Sequence, residues 1–225
     1  MKKFKLKRPK VKICCISNIE EAALAIKHGS DILGLVGDMP SGPGIISDEE
    51  IFKISSSTPP GIDTFLLTQE TTIEGIIKHV HRTYTKSIQL VDAVPTSVYS
   101  DLRSRLPYVN LIQVIHVLDQ NSVKEAIELA PLVDALLLDS GNPNLAVKEL
   151  GGTGRTHNWA LSKAIVDSVD TPVFLAGGLS PHNIVQAYQQ VNPYGFDLCS
   201  GVRTNGKLDE EKLKAFFTAL EEAVT

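Results

Sequence analysis

Short apolar runs alternate with amphipathic helical stretches from one end of this chain to the other, and eight such pairs leave few folds open. Residues 11–16 read as a first strand. Asn18 then caps a helix that runs to about His28, with Glu20 and Glu21 in its first turn. Residues 31–36 form a second strand, followed by a Gly- and Pro-rich loop at 37–44. Ser47 opens the next helix with Glu50 three residues on, the spacing of a capping box. Strands are predicted at 62–67, 87–91 and 109–117. The helices between them span 71–81, a stretch with Pro95 in its first turn, and 122–130. A sixth strand runs through residues 133–140, where four apolar positions lead into Asp139. Helix 157–169, strand 172–176, a helix entered through Ser180 as N-cap and Pro181 as N1, strand 195–199 and a closing helix at 208–224 complete the series.

Continuous apolar strands are those buried on both faces of a parallel sheet. Eight βα units in 225 residues, with no linker between them, predict an α/β fold: a single (β/α)8 TIM barrel over residues 1–225. A doubly wound open sheet is the alternative. Residues 1–9 read as a basic N-terminal extension, a solvated tail without the apolar stretch of a signal peptide. Right-handed crossovers place every strand C-terminus on one face, which gathers Cys14, Asp38, Asp92, His116, Asp139, Gly177, Gly178, Ser200 and Gly201 at a common mouth.

Composition narrows the function. A net charge of −4 argues against a nucleic-acid partner, and no apolar run approaches the ~20 residues of a membrane span. Three cysteines, two of them adjacent, make no even disulfide framework and point to a cytoplasmic protein. The chain gives no decisive sign of monomer or homodimer. No cofactor is expected, and a divalent cation held by Asp38, Asp92 and Asp139 is the weaker reading.

Two glycine turns follow the last two strands. Gly177–Gly178 and Ser200–Gly201 stand where barrel enzymes bind phosphate on backbone N–H groups, with Ser200 able to add a hydroxyl and Arg203 a positive charge. Turn geometry alone is the competing explanation. Asp139, at the end of a buried strand, is a candidate general acid. Gly151, Gly152, Gly154 and Arg155 lie in a segment able to cover the site as a lid. Cys14 faces Asp139 across the mouth as a candidate base, against its alternative as a small buried hydrophobe. Cys15 points to the opposite strand face as packing, and nothing marks Cys199 as a nucleophile.

The motifs resemble those of the phosphoribosylanthranilate isomerase family. The resemblance rests on Lys12-Ile-Cys-Cys-Ile-Ser17, Leu138-Asp-Ser140, Gly151-Gly-Thr-Gly-Arg-Thr156 with Trp159, Ala176-Gly-Gly-Leu179 with Pro181 and Asn183, and residues 191–202. It implies a barrel of the ribulose-phosphate-binding type, a phosphorylated sugar substrate and an Amadori rearrangement in tryptophan biosynthesis. It also implies Asp139 as acid and Cys14 as base. Four positions depart from the family pattern. Ser41-Gly-Pro-Gly44 replaces a turn whose arginine holds the anthranilate carboxylate, and strand 4 ends Gln89-Leu-Val-Asp92. Cys15 stands where glycine is usual, and Arg203 where glutamate is. A paralogue acting on another phosphorylated amine or sugar, and a barrel that binds such a ligand without converting it, therefore stay open as alternatives.

Overall fold

The computed structural model describes residues 8–152 and 154–225. Eight parallel strands close into a barrel in sequence order. They are β1 (Lys10–Ile13), β2 (Ile32–Val36), β3 (Asp63–Thr68), β4 (Ser87–Leu90), β5 (Asn110–His116), β6 (Ala135–Asp139), β7 (Val173–Leu175) and β8 (Gly195–Leu198). Closure comes from β1 against β8, with Lys10 opposite Gly195 and Ile13 opposite Leu198. No open-sheet edge is left among these strands, so the doubly wound alternative falls.

Outside lie α1 (Ile19–Lys27), α2 (Asp48–Ser57), α3 (Ile73–Thr83), α4 (Thr96–Arg105), α5 (Asn121–Leu129), α6 (Trp159–Ser168), α7 (Ile184–Val191) and α8 (Glu210–Val224). Their apolar faces pack on the outer strand residues; Ile51, Ile76, Leu102, Ile165, Ile184 and Phe216 are fully enclosed there. A second apolar set fills the barrel interior, including Ile32, Phe65, Ile112, Val114 and Phe174. Burying a side chain of this size contributes about 1.5–3 kcal/mol, so the interior works as a plug that leaves the C-terminal mouth as the usable end.

Local chemistry sets most boundaries as expected. The Asn18 and Ser47 side chains accept from Glu21 N and Glu50 N. Three ends differ. Strand β1 stops at Ile13 rather than at residue 16, because Cys15 turns into left-handed backbone (φ 64°) and breaks the ladder. Helix α7 starts at Ile184, beyond the predicted Ser180–Pro181 entry. Asn183 explains this: its Oδ1 accepts from Ser180 N and its Nδ2 donates to Gly178 O, closing a turn ahead of the helix. Helix α8 starts at Glu210, since Asp209 accepts from Glu211 N and Lys212 N and is the cap. The short ribbon of Arg203–Thr204 with Lys207–Leu208 precedes it.

The lysines of the predicted N-terminal extension at positions 2, 3, 5 and 7, and Thr153 of the glycine segment, lie outside the described residues. Arg8, the first residue described, is no solvated tail: its guanidinium bonds Asp31 Oδ2 at 2.7 Å and Gly29 O at 2.8 Å.

Candidate active site

A cleft opens at the C-terminal mouth, the end where barrels of this kind place their sites. Its walls bring together Cys14, Cys15, Gln89, Asp139, Gly177, Gly178, Asp197, Cys199 and Ser200, under Gly151, Gly152 and Gly154 of the covering segment. Cys14 and Asp139, predicted as base and acid, thus share one cavity.

Beneath them sits a buried ion pair that sequence reasoning missed. Lys12 is wholly enclosed, and its Nζ bonds Asp197 Oδ2 at 2.8 Å. A lysine in this setting must keep a counter-charge or lose its proton. Burial pulls its pKa down, but the Asp197 carboxylate and the Cys14 sulfur outweigh that and hold it above the ordinary lysine value. Lys12 therefore stays cationic beneath the site. The Cys14 thiol is pushed down by the hydrogen bond from Cys15 and, against the opposing effect of burial, by the Lys12 charge and hydrogen bond. Asp139 moves the other way. Only 7% exposed, its carboxyl is pushed up by burial, while Ser140 N–H, His116 and Lys12 resist. One cavity thus holds a thiol biased toward thiolate and a carboxyl biased toward the acid, shifts in the opposite senses that a base and an acid need. Asp197 also keeps a buried Oδ1 with no hydrogen-bond partner.

On the other side of the cleft the backbone is shaped by close approach. Gly178 lies at φ 62°, and a Cβ there would stand 2.7 Å from the Arg155 carbonyl carbon; at Gly201 a Cβ would fall 1.9 Å from Leu179 O. Both positions admit only glycine. The covering segment crosses the whole mouth: a Cβ at Gly151 would lie 3.1 Å from Asp139 Oδ2, and one at Gly154 3.4 Å from Ser200 Oγ. Arg155 pairs with Glu149 inside this segment. Behind Gly177, His157 bonds Ser162 Oγ at 2.7 Å, and burial pushes its pKa down to about 4.

Several predicted mouth residues are corrected by their surroundings. Arg203 carries no charge into the cleft. It is buried, bonded to Glu21 at 2.9 and 3.1 Å, and donates to Cys14 O at 3.2 Å and Cys15 O at 2.6 Å. Asp92 is absent from the cleft wall and pairs with Lys148. Asp38 is exposed, outside the cleft, and accepts from Gln69 Nε2 at 3.3 Å. His116 turns its Nε2 to Val91 O at 3.0 Å. The rim is therefore less acidic than expected, and the carboxylates of the cleft are Asp139 and Asp197. Among the described residues no three His, Cys, Asp or Glu side chains form a group able to hold a metal ion. Cys15, expected on the outer strand face, lines the same cleft, because its left-handed turn swings the side chain inward. The divergent turn after β2 supplies Ser41, Gly42 and Pro43 as one wall, and no lysine or arginine lines the cleft among the described residues. No described helix is long and apolar enough to cross a membrane.

Comparison with known proteins places the chain in one family. Residues 11–219 match the model of the N-(5'-phosphoribosyl)anthranilate (PRA) isomerase family. The chain is 35% identical to N-(5'-phosphoribosyl)anthranilate isomerase 2 of Methanosarcina mazei over 92% of both chains. It is 34% identical to the isomerase of Halobacterium salinarum over 92% of this chain and 93% of that one. The crystal structure of the Thermotoga maritima isomerase superposes with a TM-score of 0.81 at 27% identity, covering 95% of this chain and 99% of the other. Another structure of such an isomerase holds reduced 1-(o-carboxyphenylamino)-1-deoxyribulose 5-phosphate; its TM-score is 0.78 at 25% identity, with 95% and 99% covered. A paralogue of different substrate and a non-catalytic barrel find no support among these relatives. An isomerase barrel with an acid and a thiol in one cleft, matched over nine tenths of its length to such enzymes, belongs to the N-(5'-phosphoribosyl)anthranilate isomerase family.

Proposed function

We propose that Asp139 and Cys14 carry out the aldose–ketose isomerisation of N-(5'-phosphoribosyl)anthranilate, a step of tryptophan biosynthesis, as general acid and general base. The observation that carries this reading is the opposite bias of the two groups in one cleft: burial favours the Asp139 proton, and Lys12 with Cys15 favours the Cys14 thiolate. Asp139 donates its proton to the furanose ring oxygen as the C1–O bond breaks, leaving a protonated Schiff base. The Cys14 thiolate removes the C2 proton, and the electrons shift toward C1 to give the enolamine, which tautomerises to the aminoketose. Asp197 Oδ1 is an open acceptor for a sugar hydroxyl.

The phosphate is assigned to the N–H groups of the Gly177–Gly178 and Ser200–Gly201 turns, with Ser200 Oγ. Gly151, Gly152, Gly154 and Arg155 form the lid, and one barrel unit over the whole chain suffices for the reaction. The anthranilate ring is given to the Ser41–Pro43 wall, where the carboxylate meets polar backbone and hydroxyl in place of a guanidinium. Free thiols suit a reducing cytoplasm.

Rescue of a tryptophan auxotroph lacking this isomerase tests the reading. The wild-type chain is expected to restore growth, and Cys14→Ala and Asp139→Asn to fail although both accumulate as folded protein. Failure of the soluble wild type overturns the substrate; rescue by both variants overturns the residue roles.

A further inference from the structure

Three thiols meet where the first strand is zipped to the last. The ladder pairs Ile13 with Leu198, so the residues that follow, Cys14 and Cys199, leave the barrel side by side. The left-handed turn at Cys15 then brings its sulfur to 2.7 Å from Cys199 Sγ. All three are unlinked thiols. Cys15 is held firmly: Arg203 donates to its carbonyl, and a Cβ at Gly44 would lie 2.4 Å from Cys15 Cβ. Cys199 is half-buried and lines the cleft beside Ser200, so a small reagent entering the cleft reaches it first. The isomerisation uses neither Cys15 nor Cys199 as a reacting group.

We propose that Cys15 and Cys199 are a reversible dithiol–disulfide pair, oxidised by low-molecular-weight disulfides, that turns the adjacent Cys14 base down. In the first exchange Cys199 gives its proton to solvent and attacks the small disulfide as the thiolate, forming a mixed disulfide; the small thiolate released takes up that proton from solvent. In the second, Cys15 sulfur attacks the Cys199 sulfur, its proton passing to the neighbouring Cys14 thiolate and on to the second departing thiolate. Two protein S–H bonds become one S–S bond, and the small disulfide is reduced by the same two electrons to two thiols. The link removes the Cys15 S–H that donates to Cys14, and with it one support of the thiolate.

The test is equilibration of the full chain with 2-hydroxyethyl disulfide and 2-mercaptoethanol at graded ratios. Intact mass, a peptide map and isomerase rate are then read, and each is reversed with dithiothreitol. A protein two hydrogens lighter, with Cys15 and Cys199 peptides joined, is expected, together with a loss of rate of about tenfold, the worth of one hydrogen bond to a charged group. In Cys199→Ser the link and the oxidant-dependent loss, measured against its own reduced rate, both disappear. A stable adduct on Cys199, a Cys14–Cys15 link or an unchanged mass would overturn the pair. The mass readout is independent of the role proposed for Cys14; a link that forms without loss of rate overturns the coupling to the base and leaves the isomerase assignment standing.

Discussion

The two sides of the cleft are built by different means. On the side of β1, β6 and β8, the wall rests on buried charge: Lys12 and Asp197 are locked together beneath Cys14 and Asp139. On the side of β2, the wall is Ser41, Gly42 and Pro43, neutral and only partly covered, with Ser41 Oγ donating to Lys148 O at 2.7 Å. Charges in a low-dielectric setting act strongly on each other and tolerate little change. A solvated loop of neutral residues exerts weak forces and drifts freely in sequence. The two sides therefore differ in what a substitution does: altering the first disrupts a network, and altering the second adjusts a contact.

The contrast can be broken most sharply at Asp139. Asp139→Asn is expected to lower kcat/KM about 10³-fold with the fold intact, the usual worth of a positioned general acid. In the wild type the rate should fall on the acid side as the Cys14 thiolate takes up a proton, and on the alkaline side as Asp139 loses its own. The variant's residual rate should lack the alkaline limb, which a pH profile of kcat/KM reads directly. Next is Lys12→Met, which strands the Asp197 carboxylate. A loss of about 3–5 kcal/mol in denaturant unfolding is expected, with the acid limb shifted upward because the Cys14 thiolate loses its cation. The opposite half should respond least. Ser41→Ala removes one hydrogen bond of about 1 kcal/mol between this wall and the Lys148 carbonyl; KM should rise a few-fold and kcat hold within about twofold by steady-state kinetics. A larger effect of Ser41→Ala than of Lys12→Met on turnover would reverse the comparison.

Much of this was legible in the chain. The strand–helix alternation needs only local periodicity, and Asp139 and the glycine turns sit at strand ends that the pattern itself marks. The Lys12–Asp197 pair was not legible, because its members are 185 residues apart and a lysine between apolar strand residues gives no local sign of a buried partner. Arg203 misled for the same reason. Its neighbours in sequence, Ser200 and Gly201, suggested phosphate, while its true partner, Glu21, is 182 positions away. Asp92 was read at the mouth because strand ends converge there, yet Lys148 of a distant loop claims it. Cys15 defeated strand alternation through a single positive φ, which a non-glycine sequence does not announce.

The Arg203 clamp has a consequence in time. The carbonyls of Cys14 and Cys15, at the end of the first strand, are fixed by a guanidinium that follows the eighth strand. A nascent chain that has completed six or seven units holds Asp139 and still lacks the guanidinium that fixes the turn at Cys15. The left-handed turn that places the Cys15 side chain in the cleft is therefore clamped only once the eighth strand and the residues after it are in place.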